Sequence, residues 1–363
     1  MKITFPYMGS TIVYYKIFEL LGHQVIEPPR PSQHTINLGV KYSPEFACFP
    51  YKVILGSYIE ALELGADTIV TSGGNGPCRA GYYNEVHRRT LQSLGYEVNI
   101  IVFNSIFEDI GQFWRNLWLL KGKNSWAKLA GVLFTVYRLA HAVDHLQTIV
   151  EQKRAYELKR GSFTKVFEEI TERFHKEAKT LADVDRIYRE GLAMLTAVPR
   201  KDVPEAQKLR IGIVGEIFVV MESSINMNIA EVMGNLGCEV TRSMCISKWV
   251  DHNLPNFFGK SNSKIIKASR QYMEIEIGGH ENENVGSIIE YKYLGFDGII
   301  HLMPFACLPE LVTQSITPQI SRDHNIPVLT LALDEQSGIA NNLTRLEAFV
   351  ELLRSKKLHK EIA

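Results

Sequence analysis

An internal repeat constrains the fold of this chain more than any other feature of its sequence. Residues 57–103 and 287–333 align so that a helical segment in one copy meets a helical segment in the other. In the same alignment Asp67 meets Asp297, and an apolar strand follows each of them. A repeat of this length predicts two copies of one structural unit.

A second pair of segments extends the repeat towards the start of each copy. Residues 2–27 and 209–241 both contain a short apolar strand, a Gly-containing loop, a helix and a second strand, in that order. Strand–helix–strand order is typical of parallel strands joined by helices. We therefore predict an α/β fold with two similar open parallel-sheet lobes of Rossmann-like or flavodoxin-like type, residues 1–110 and 206–363.

The segment between the lobes, residues 111–205, contains no convincing strand pattern. Apolar residues recur in it at helical spacing, with charged residues between them. We predict a helical connector or cap. Its surface is expected either to contact a partner or a second copy of the chain, or to be solvated. Pro199 and Pro204 bracket the entry to the second lobe.

The charge balance and the N-terminal sequence bear on location and partners. Forty basic residues balance forty acidic ones, so no global field favours nucleic acid or an acidic membrane surface, although a local basic groove is compatible with this balance. The N-terminus lacks the apolar stretch of a signal peptide. Residues 126–143, the most apolar later stretch, carry too many charges for a membrane span. We expect a cytoplasmic protein with no nucleic-acid or membrane partner.

Three of the five cysteines stand directly before predicted helices. Cys48 and Cys307 are followed by Pro50 and Pro309 in first helical turns, and Cys78 ends a Gly-rich loop after a strand. Unpaired N–H groups at a helix start stabilise an anion and favour the thiolate that binds metals. We predict that these three cysteines are metal ligands, although each taken alone also fits a buried structural thiol.

The loop before Cys78 and the two remaining cysteines allow other interpretations. Gly73, Gly74 and Gly76 are expected to let the backbone approach a cofactor, and a phosphate cradle is the rival interpretation. The loop lacks the Lys-Ser/Thr pair of a P-loop, which weakens that rival. Cys238 and Cys245 flank a predicted strand and are expected to be structural.

Other polar residues are ambiguous at this stage. His141 and His145 are four residues apart on a predicted helix, which suits either a metal pair or two surface side chains. Glu310 suits the first turn of a helix without any further role. Asp334 and Glu335 follow a strand, so that a site role and a capping role are both open.

The cysteine motifs resemble those of a known family. The stretches KYSPEFACFPYKVILGSYIEALELGADTIVTSGGNGPCRAGYY and MPFACLPELV resemble proteins related to 2-hydroxyacyl-CoA dehydratase and benzoyl-CoA reductase subunits. Within that group, the stretches look more like the branch often labelled CoA-enzyme-activase-related. The resemblance covers both lobes and implies an iron–sulfur cluster, most simply [4Fe-4S], held by Cys48, Cys78 and Cys307.

The same resemblance implies a partner and a role. Low-potential electrons would come from a separate ATP-hydrolysing activator with an actin-like fold, for reductive or dehydration chemistry at an open cluster iron under anaerobic conditions. A double-cubane cluster needs six thiolates, so five cysteines would require a homodimer or a related second subunit. The alternatives are a non-catalytic cluster carrier, a scaffold or a two-lobed small-molecule-binding protein, and zinc on three cysteines is a minor alternative.

Overall fold

A computed structural model describes residues 1–73, 78–103, 109–257, 264–275 and 277–362 of the chain. The first lobe contains β1 (Lys2–Thr4), α1 (Ile12–Leu20), β2 (Gln24–Val25), α2 (Gln33–Tyr42), α3 (Phe49–Glu63), β3 (Thr68–Ser72), α4 (Tyr83–Ser93) and β4 (Asn99–Phe103). The helical segment contains α5 (Ile110–Lys121), α6 (Trp126–Lys153), α7 (Ser162–Glu177) and α8 (Leu181–Ala197).

The second lobe has the longer list of elements. They are β5 (Leu209–Gly215), α9 (Ile217–Met221), α10 (Ile229–Asn235), β6 (Cys238–Arg242), α11 (Ile246–Phe257), α12 (Lys264–Ser269), α13 (Glu281–Tyr293), β7 (Gly298–Pro304), α14 (Leu308–Asp323), β8 (Val328–Leu333) and α15 (Ile339–Ile362).

The two sheets have equivalent topology. Each has four parallel strands, in the order β2-β1-β3-β4 in the first lobe and β6-β5-β7-β8 in the second. The predicted fold class, two similar open parallel-sheet lobes with a helical segment between them, is confirmed. In each sheet the order of the strands reverses between the first strand of the lobe and its third. A crevice therefore opens between these two strands at their carboxyl ends.

An equivalent side-chain contact links the strands at the other end of each sheet. The Asp67 carboxylate accepts the backbone N–H of Lys2 at 2.9 Å, and the Asp297 carboxylate accepts that of Arg210 at 2.8 Å. Each aspartate therefore ties the start of its lobe's third strand to the start of the first. The sequence repeat has a structural reason, because both copies need an acceptor at this position.

Helices α2 and α3 approach each other closely enough that their backbones touch. A Cβ atom added at Gly39 would lie 1.8 Å from the carbonyl oxygen of Lys52, and one added at Gly56 would lie 1.9 Å from that of Thr35. No side chain larger than hydrogen fits at either position. The contact fixes α3 against the first lobe.

Helix α3 is buried between the two lobes. Its residues Tyr51, Leu55 and Tyr58 pack in the core of the first lobe. Phe49 and Val53, from the same helix, pack in the core of the second lobe with strands β5 to β8. The helix is thus a shared element of both cores, and its first turn is held from both sides.

The helical segment packs against both lobes. Helix α6 contacts α1 of the first lobe and β6 of the second. Glu151 on α6 forms a buried ion pair with Arg242 at 2.7 Å, and Asp144 accepts the backbone N–H of Ser247 at 2.7 Å. Within the described ranges, no helix is long and apolar enough to cross a membrane.

Replacing Gly56 with alanine tests the contact between α2 and α3. Because the new Cβ overlaps a carbonyl oxygen, we expect the free energy of unfolding to fall by about 1–3 kcal/mol, as in overpacked cores. Urea denaturation followed by circular dichroism measures this loss. Gly131→Ala in α6 is the matched control, since a Cβ there meets nothing within 4 Å and helix propensity favours alanine by up to about 1 kcal/mol. Equal effects of the two substitutions would contradict the close contact.

Candidate metal centre

The three cysteines predicted as ligands all stand at helix starts in the structure. Cys48 is the N-cap of α3 and Cys307 is the N-cap of α14, each followed by a proline in the first turn. Cys78 precedes a one-turn 3₁₀ helix, Arg79–Tyr82, that leads into α4. The prediction of helix starts at these positions is confirmed. Their role as ligands stays a prediction.

Arg79 brings the three cysteine loops together. Its guanidinium donates to the backbone carbonyl of Phe46 at 2.8 Å and to that of Ala306. These carbonyls lie two residues before Cys48 and one residue before Cys307, and Arg79 itself follows Cys78. One side chain therefore joins the loops of both lobes. Ala306 has a φ of 61°, a left-handed conformation that costs energy for alanine, and the bond from Arg79 helps to hold it.

Glu216 is a carboxylate whose charge acts on the pKa of all three thiols. It follows β5 at the carboxyl edge of the second sheet, and its backbone N–H donates to the carbonyl of Leu302 on β7 at 3.2 Å. It therefore stands at the crevice between β5 and β7. Burial, with a smaller contribution from the charge of Glu310, raises the pKa of Glu216 from 4.5 to about 7.

The thiols have raised pKa values, which reverses the expectation from the helix starts. Burial raises the pKa of Cys48, Cys78 and Cys307, and the negative charge of Glu216 raises each of them further. Backbone N–H groups in the first turns offset part of this increase in pKa. In the described structure, however, none of the three sulfurs accepts a capping hydrogen bond. Desolvation and a neighbouring carboxylate therefore outweigh the helix dipole.

Aromatic side chains line the side of the site formed by the first lobe. The hydroxyl of Tyr83 contacts the sulfur of Cys48. Tyr83 packs edge-on against Tyr51, with ring centroids 5.0 Å apart, and Tyr51 stacks on His87 at 4.2 Å. Burial lowers the pKa of His87 to about 4, so its imidazole is neutral at pH 7 and supports the aromatic group.

A buried polar network supports the start of α14. Glu310 accepts from Asn284 at 2.8 Å and lies 2.7 Å from Nε2 of His301. The side-chain amide oxygen of Asn284 accepts the backbone N–H of Gly215 at 2.9 Å. Glu310 therefore has a structural role beyond its place in a first helical turn. Sequence reasoning missed His301 and Asn284, because each lies on a different element.

Glu281 is a further acidic residue beside the site. It is almost fully buried at the start of α13 and accepts the backbone N–H of Ile277 through one oxygen at 2.7 Å. Its other oxygen has no hydrogen-bond partner in the described structure. The charge of Glu281 contributes to the raised pKa of Cys78.

The structure describes one of the three glycines that are predicted to approach a cofactor. Gly73 follows β3, and its backbone N–H donates to the carbonyl of Phe103 at 3.0 Å. That N–H extends the pairing of β3 with β4, so it is not directed at a cofactor. Gly74 and Gly76 lie outside the described residues.

Two histidines that sequence spacing brought together have separate partners. His141 lies 3.1 Å from the carboxylate of Asp251, and His145 lies 2.8 Å from the hydroxyl of Tyr188. Each ring is used in a contact between helices. The arrangement favours the surface interpretation over a metal pair.

The two acidic residues after β8 have different structural roles. Asp334 accepts the Ser337 hydroxyl at 2.8 Å and caps a turn. Glu335 forms an ion pair with Lys52 of α3 at 2.5 Å, which links the two lobes. Cys238 is buried in β6, and the Cys245 sulfur lies 3.5 Å from the hydroxyl of Ser247.

A short repeated motif in the sequence also marks the site. The motif Phe-Ala-Cys-x-Pro occurs twice, ending at Pro50 and at Pro309, once in each lobe. In both places the phenylalanine is exposed and the cysteine is buried at a helix start. This short repeat connects Cys48 with Cys307, whereas the alignment of residues 57–103 with 287–333 brings Cys78 within one residue of Cys307. Arg79 and Glu216 had no comparable signal, because a single charged residue in a loop is common.

The residues around the thiols fit a metal cluster by their chemistry. The cysteines form no disulfides, the charge of Glu216 raises the pKa of all three thiols, and the charge of Arg79 lowers that of Cys48 and Cys78. In the part of the chain that the structure describes, no three His, Cys, Asp or Glu side chains are arranged to hold one metal ion. A cubane binds its thiolates at separate iron atoms, so its ligands stand farther apart than those of one zinc ion. Cysteine thiolates are the usual ligands of iron–sulfur clusters, so the residues present fit such a group.

Comparison with known proteins adds no family assignment. No model of a known protein family matches the chain, and no curated protein matches it.

Replacing Glu216 with glutamine tests its raised pKa. The carboxyl binds a proton more tightly in the folded chain than in the unfolded chain, so its contribution to stability is lost as pH rises from about 4.5 through about 7. We expect metal-free Glu216→Gln protein to gain on the order of 2 kcal/mol over the wild type between pH 5 and pH 8. Urea denaturation at both pH values measures this difference.

The matched control for this experiment is the exposed Glu97. Glu97→Gln should leave the pH dependence of the wild type unchanged. If Glu216→Gln also left it unchanged, the carboxyl would not be buried as the structure has it.

Proposed function

We propose that this chain is an iron–sulfur protein in which Cys48, Cys78 and Cys307 hold a [4Fe-4S] cluster. The observation that carries the proposal is the bridge made by Arg79, which joins the loops of three free cysteines from two lobes. Structural thiols have no need of such a convergence, since each would be satisfied in its own core. The resemblance of the cysteine motifs supports the same ligand set.

The chain's own residues would prepare the site in three ways. The thiols bind, and as three ligands they leave a fourth coordination position to solvent or substrate. Arg79 holds the loops at a fixed spacing. Glu216, whose pKa lies near 7, holds or releases a proton beside the thiols. A bound cluster would supply one-electron chemistry and an open iron.

Exposed apolar side chains surround the cysteines and favour a protein partner at this place. Phe46, Tyr82 and Phe305 are each more than half exposed, and Leu308 and Leu311 extend the same rim. Apolar side chains exposed together mark contact surfaces in soluble proteins. We place the docking of the ATP-dependent, actin-like activator at this rim. A second chain, as a homodimer or a related subunit, would have to contribute thiolates for a double-cubane cluster.

The proposed reaction class follows from the cluster and the resemblance. Low-potential electrons accepted at the site would serve reductive or dehydration chemistry of the 2-hydroxyacyl-CoA dehydratase type. The chain would then work in the cytoplasm without oxygen, because exposed low-potential clusters are oxidised by it. The substrate would bind at the open position between the lobes, where Glu216 and Glu281 provide acidic groups.

Iron content tests the ligand assignment. Protein made and purified without oxygen should be brown and contain about four iron and four sulfide per chain. Cys48→Ser, Cys78→Ser and Cys307→Ser should each lose more than half of that iron. Cys238→Ala and Cys245→Ser are the matched controls and should keep it. A colourless wild-type protein without iron, or stoichiometric zinc in its place, would overturn the proposal.

Reduction by a partner tests the electron-transfer role. Spectroscopic reduction of the oxidised protein should require the activator, ATP and an electron donor together. Phe46→Ser with Phe305→Ser should keep the iron but slow this reduction at least about tenfold, since apolar anchors dominate such contacts. Tyr293→Ser removes an equally exposed aromatic ring at the end of α13 and should have no effect. Equal reduction by the donor alone would show that the chain does not accept electrons from such an activator.

A further inference from the structure

Three of the four tryptophans in the chain lie together on the surface, away from the cysteine loops. Trp114 and Trp118 belong to α5, and Trp126 begins α6 after a turn at Gly122. Their side chains are 50%, 62% and 44% exposed. The ring of Trp126 lies 6.0 Å from that of Trp114 and 5.6 Å from that of Trp118, so the three form one patch.

Further apolar side chains extend this patch along both helices. We define the tryptophan corner as the three tryptophans with Ile110, Leu119, Leu133 and Phe134, all of which are exposed. Single exposed apolar residues are normal on a protein surface and need no explanation. Three clustered tryptophans with four more large apolar side chains exposed on the same two helices are not, and they mark a surface that a partner covers.

The back of α5 is firmly seated, so the corner is a fixed surface. Asn116 donates to the backbone carbonyl of Val102 on β4 at 2.7 Å. The ring of Phe113 packs edge-on against Phe103 at 5.7 Å. One side of α5 is thus used by the first lobe, and the exposed tryptophans are those that this packing leaves out.

The sequence of the two helices that form the corner carries only positive charges from residue 110 to residue 138. Residues 110–138 contain no aspartate or glutamate, whereas Arg115, Lys123 and Lys128 are exposed among them. Asp109, just before this range, is used as the N-cap of α5, where it accepts the backbone N–H of residue 112 at 2.7 Å. This local excess contrasts with the balanced charge of the whole chain.

Lys121 shows how the basic and aromatic groups are combined. Its ammonium group lies 5.0 Å from the ring centroid of Trp118 and 5.3 Å from that of Trp126. It also donates to the backbone carbonyl of Asn124. The lysine stem therefore fills the space beneath two rings and helps to hold them in place.

The combination of exposed tryptophan and lysine indicates which kind of partner covers the corner. A second copy of the chain would bring two positive surfaces together, which is unfavourable. The cores of protein–protein interfaces are depleted in lysine. Tryptophan at the headgroup level, with basic residues beside it, is typical of surfaces that lie on membranes.

We propose that the tryptophan corner docks on the surface of an anionic phospholipid bilayer. The three indole rings enter the headgroup region, and Arg115, Lys123 and Lys128 contact the anionic headgroups. The contact is peripheral, because the helices of the corner are packed on the first lobe. It goes beyond the expectation, drawn from overall charge, that the chain has no membrane partner, and it needs no membrane-spanning helix. The proposal does not depend on the cysteine site.

Vesicle binding tests the proposal with the full chain. Phosphatidylcholine vesicles containing about one third phosphatidylserine should sediment with the wild-type protein at low salt, whereas pure phosphatidylcholine vesicles should bind it at least about tenfold more weakly. Binding should decrease as salt screens the headgroup charge. Tryptophan fluorescence should shift to the blue and be quenched by lipids brominated near the headgroups.

Paired variants separate the aromatic contribution from the charge. Trp114→Ser with Trp118→Ser, and Lys123→Glu with Lys128→Glu, should each weaken binding at least about tenfold. Lys165→Glu with Lys201→Glu makes the same change of charge at exposed positions elsewhere and should bind like the wild type. Trp249→Phe should keep the fluorescence shift. Circular dichroism confirms that each variant is folded.

Three results would overturn the proposal. The first is no sedimentation with the anionic vesicles, and the second is equal binding to both kinds of vesicle. The third is light scattering that shows a dimer lost in the Trp114→Ser, Trp118→Ser protein, without vesicle binding, because the corner would then be an interface between copies of the chain.

Discussion

The burial of α3 between the two lobes is the constraint on which the rest of the structure depends. One face of this helix completes the core of the first lobe, and its first turn enters the core of the second. Gly56 lets it touch α2, and Lys52 pairs with Glu335 across the lobes. Because Cys48 caps this helix, the position of one thiol is set by the packing of both cores.

The electrostatics of the site would change if it bound the proposed cluster. Burial raises the pKa of the three thiols and of Glu216, and the charge of Glu216 raises the pKa of each thiol further, so the metal-free thiols are protonated at neutral pH. A bound cation reverses this order, because it stabilises the thiolates that burial disfavours. Binding of the proposed cluster would then release protons, and its affinity would increase with pH. The buried acidic groups are costly alone and favourable only when compensated.

Sequence patterns predicted the architecture well, because repeated packing demands leave repeated residues. Asp67 and Asp297 accept equivalent strand N–H groups, and the prolines after Cys48 and Cys307 mark helix starts. The thiol pKa was predicted with the wrong sign, since desolvation depends on neighbours that are distant in sequence. Arg79 and Glu216 were missed for the same reason.

The tryptophan corner shows a different limit of sequence patterns. Apolar spacing on α5 and α6 predicts which residues share a helix face, but it does not say whether that face is covered. Trp114 and Trp118 fit the helical pattern, yet β4 occupies the opposite side of α5 and leaves them exposed. The corner shares no residue with the rim of Phe46 and Phe305 around the cysteines. The two proposed contact surfaces rest on one principle, that large apolar side chains left outside a completed core are available to a partner.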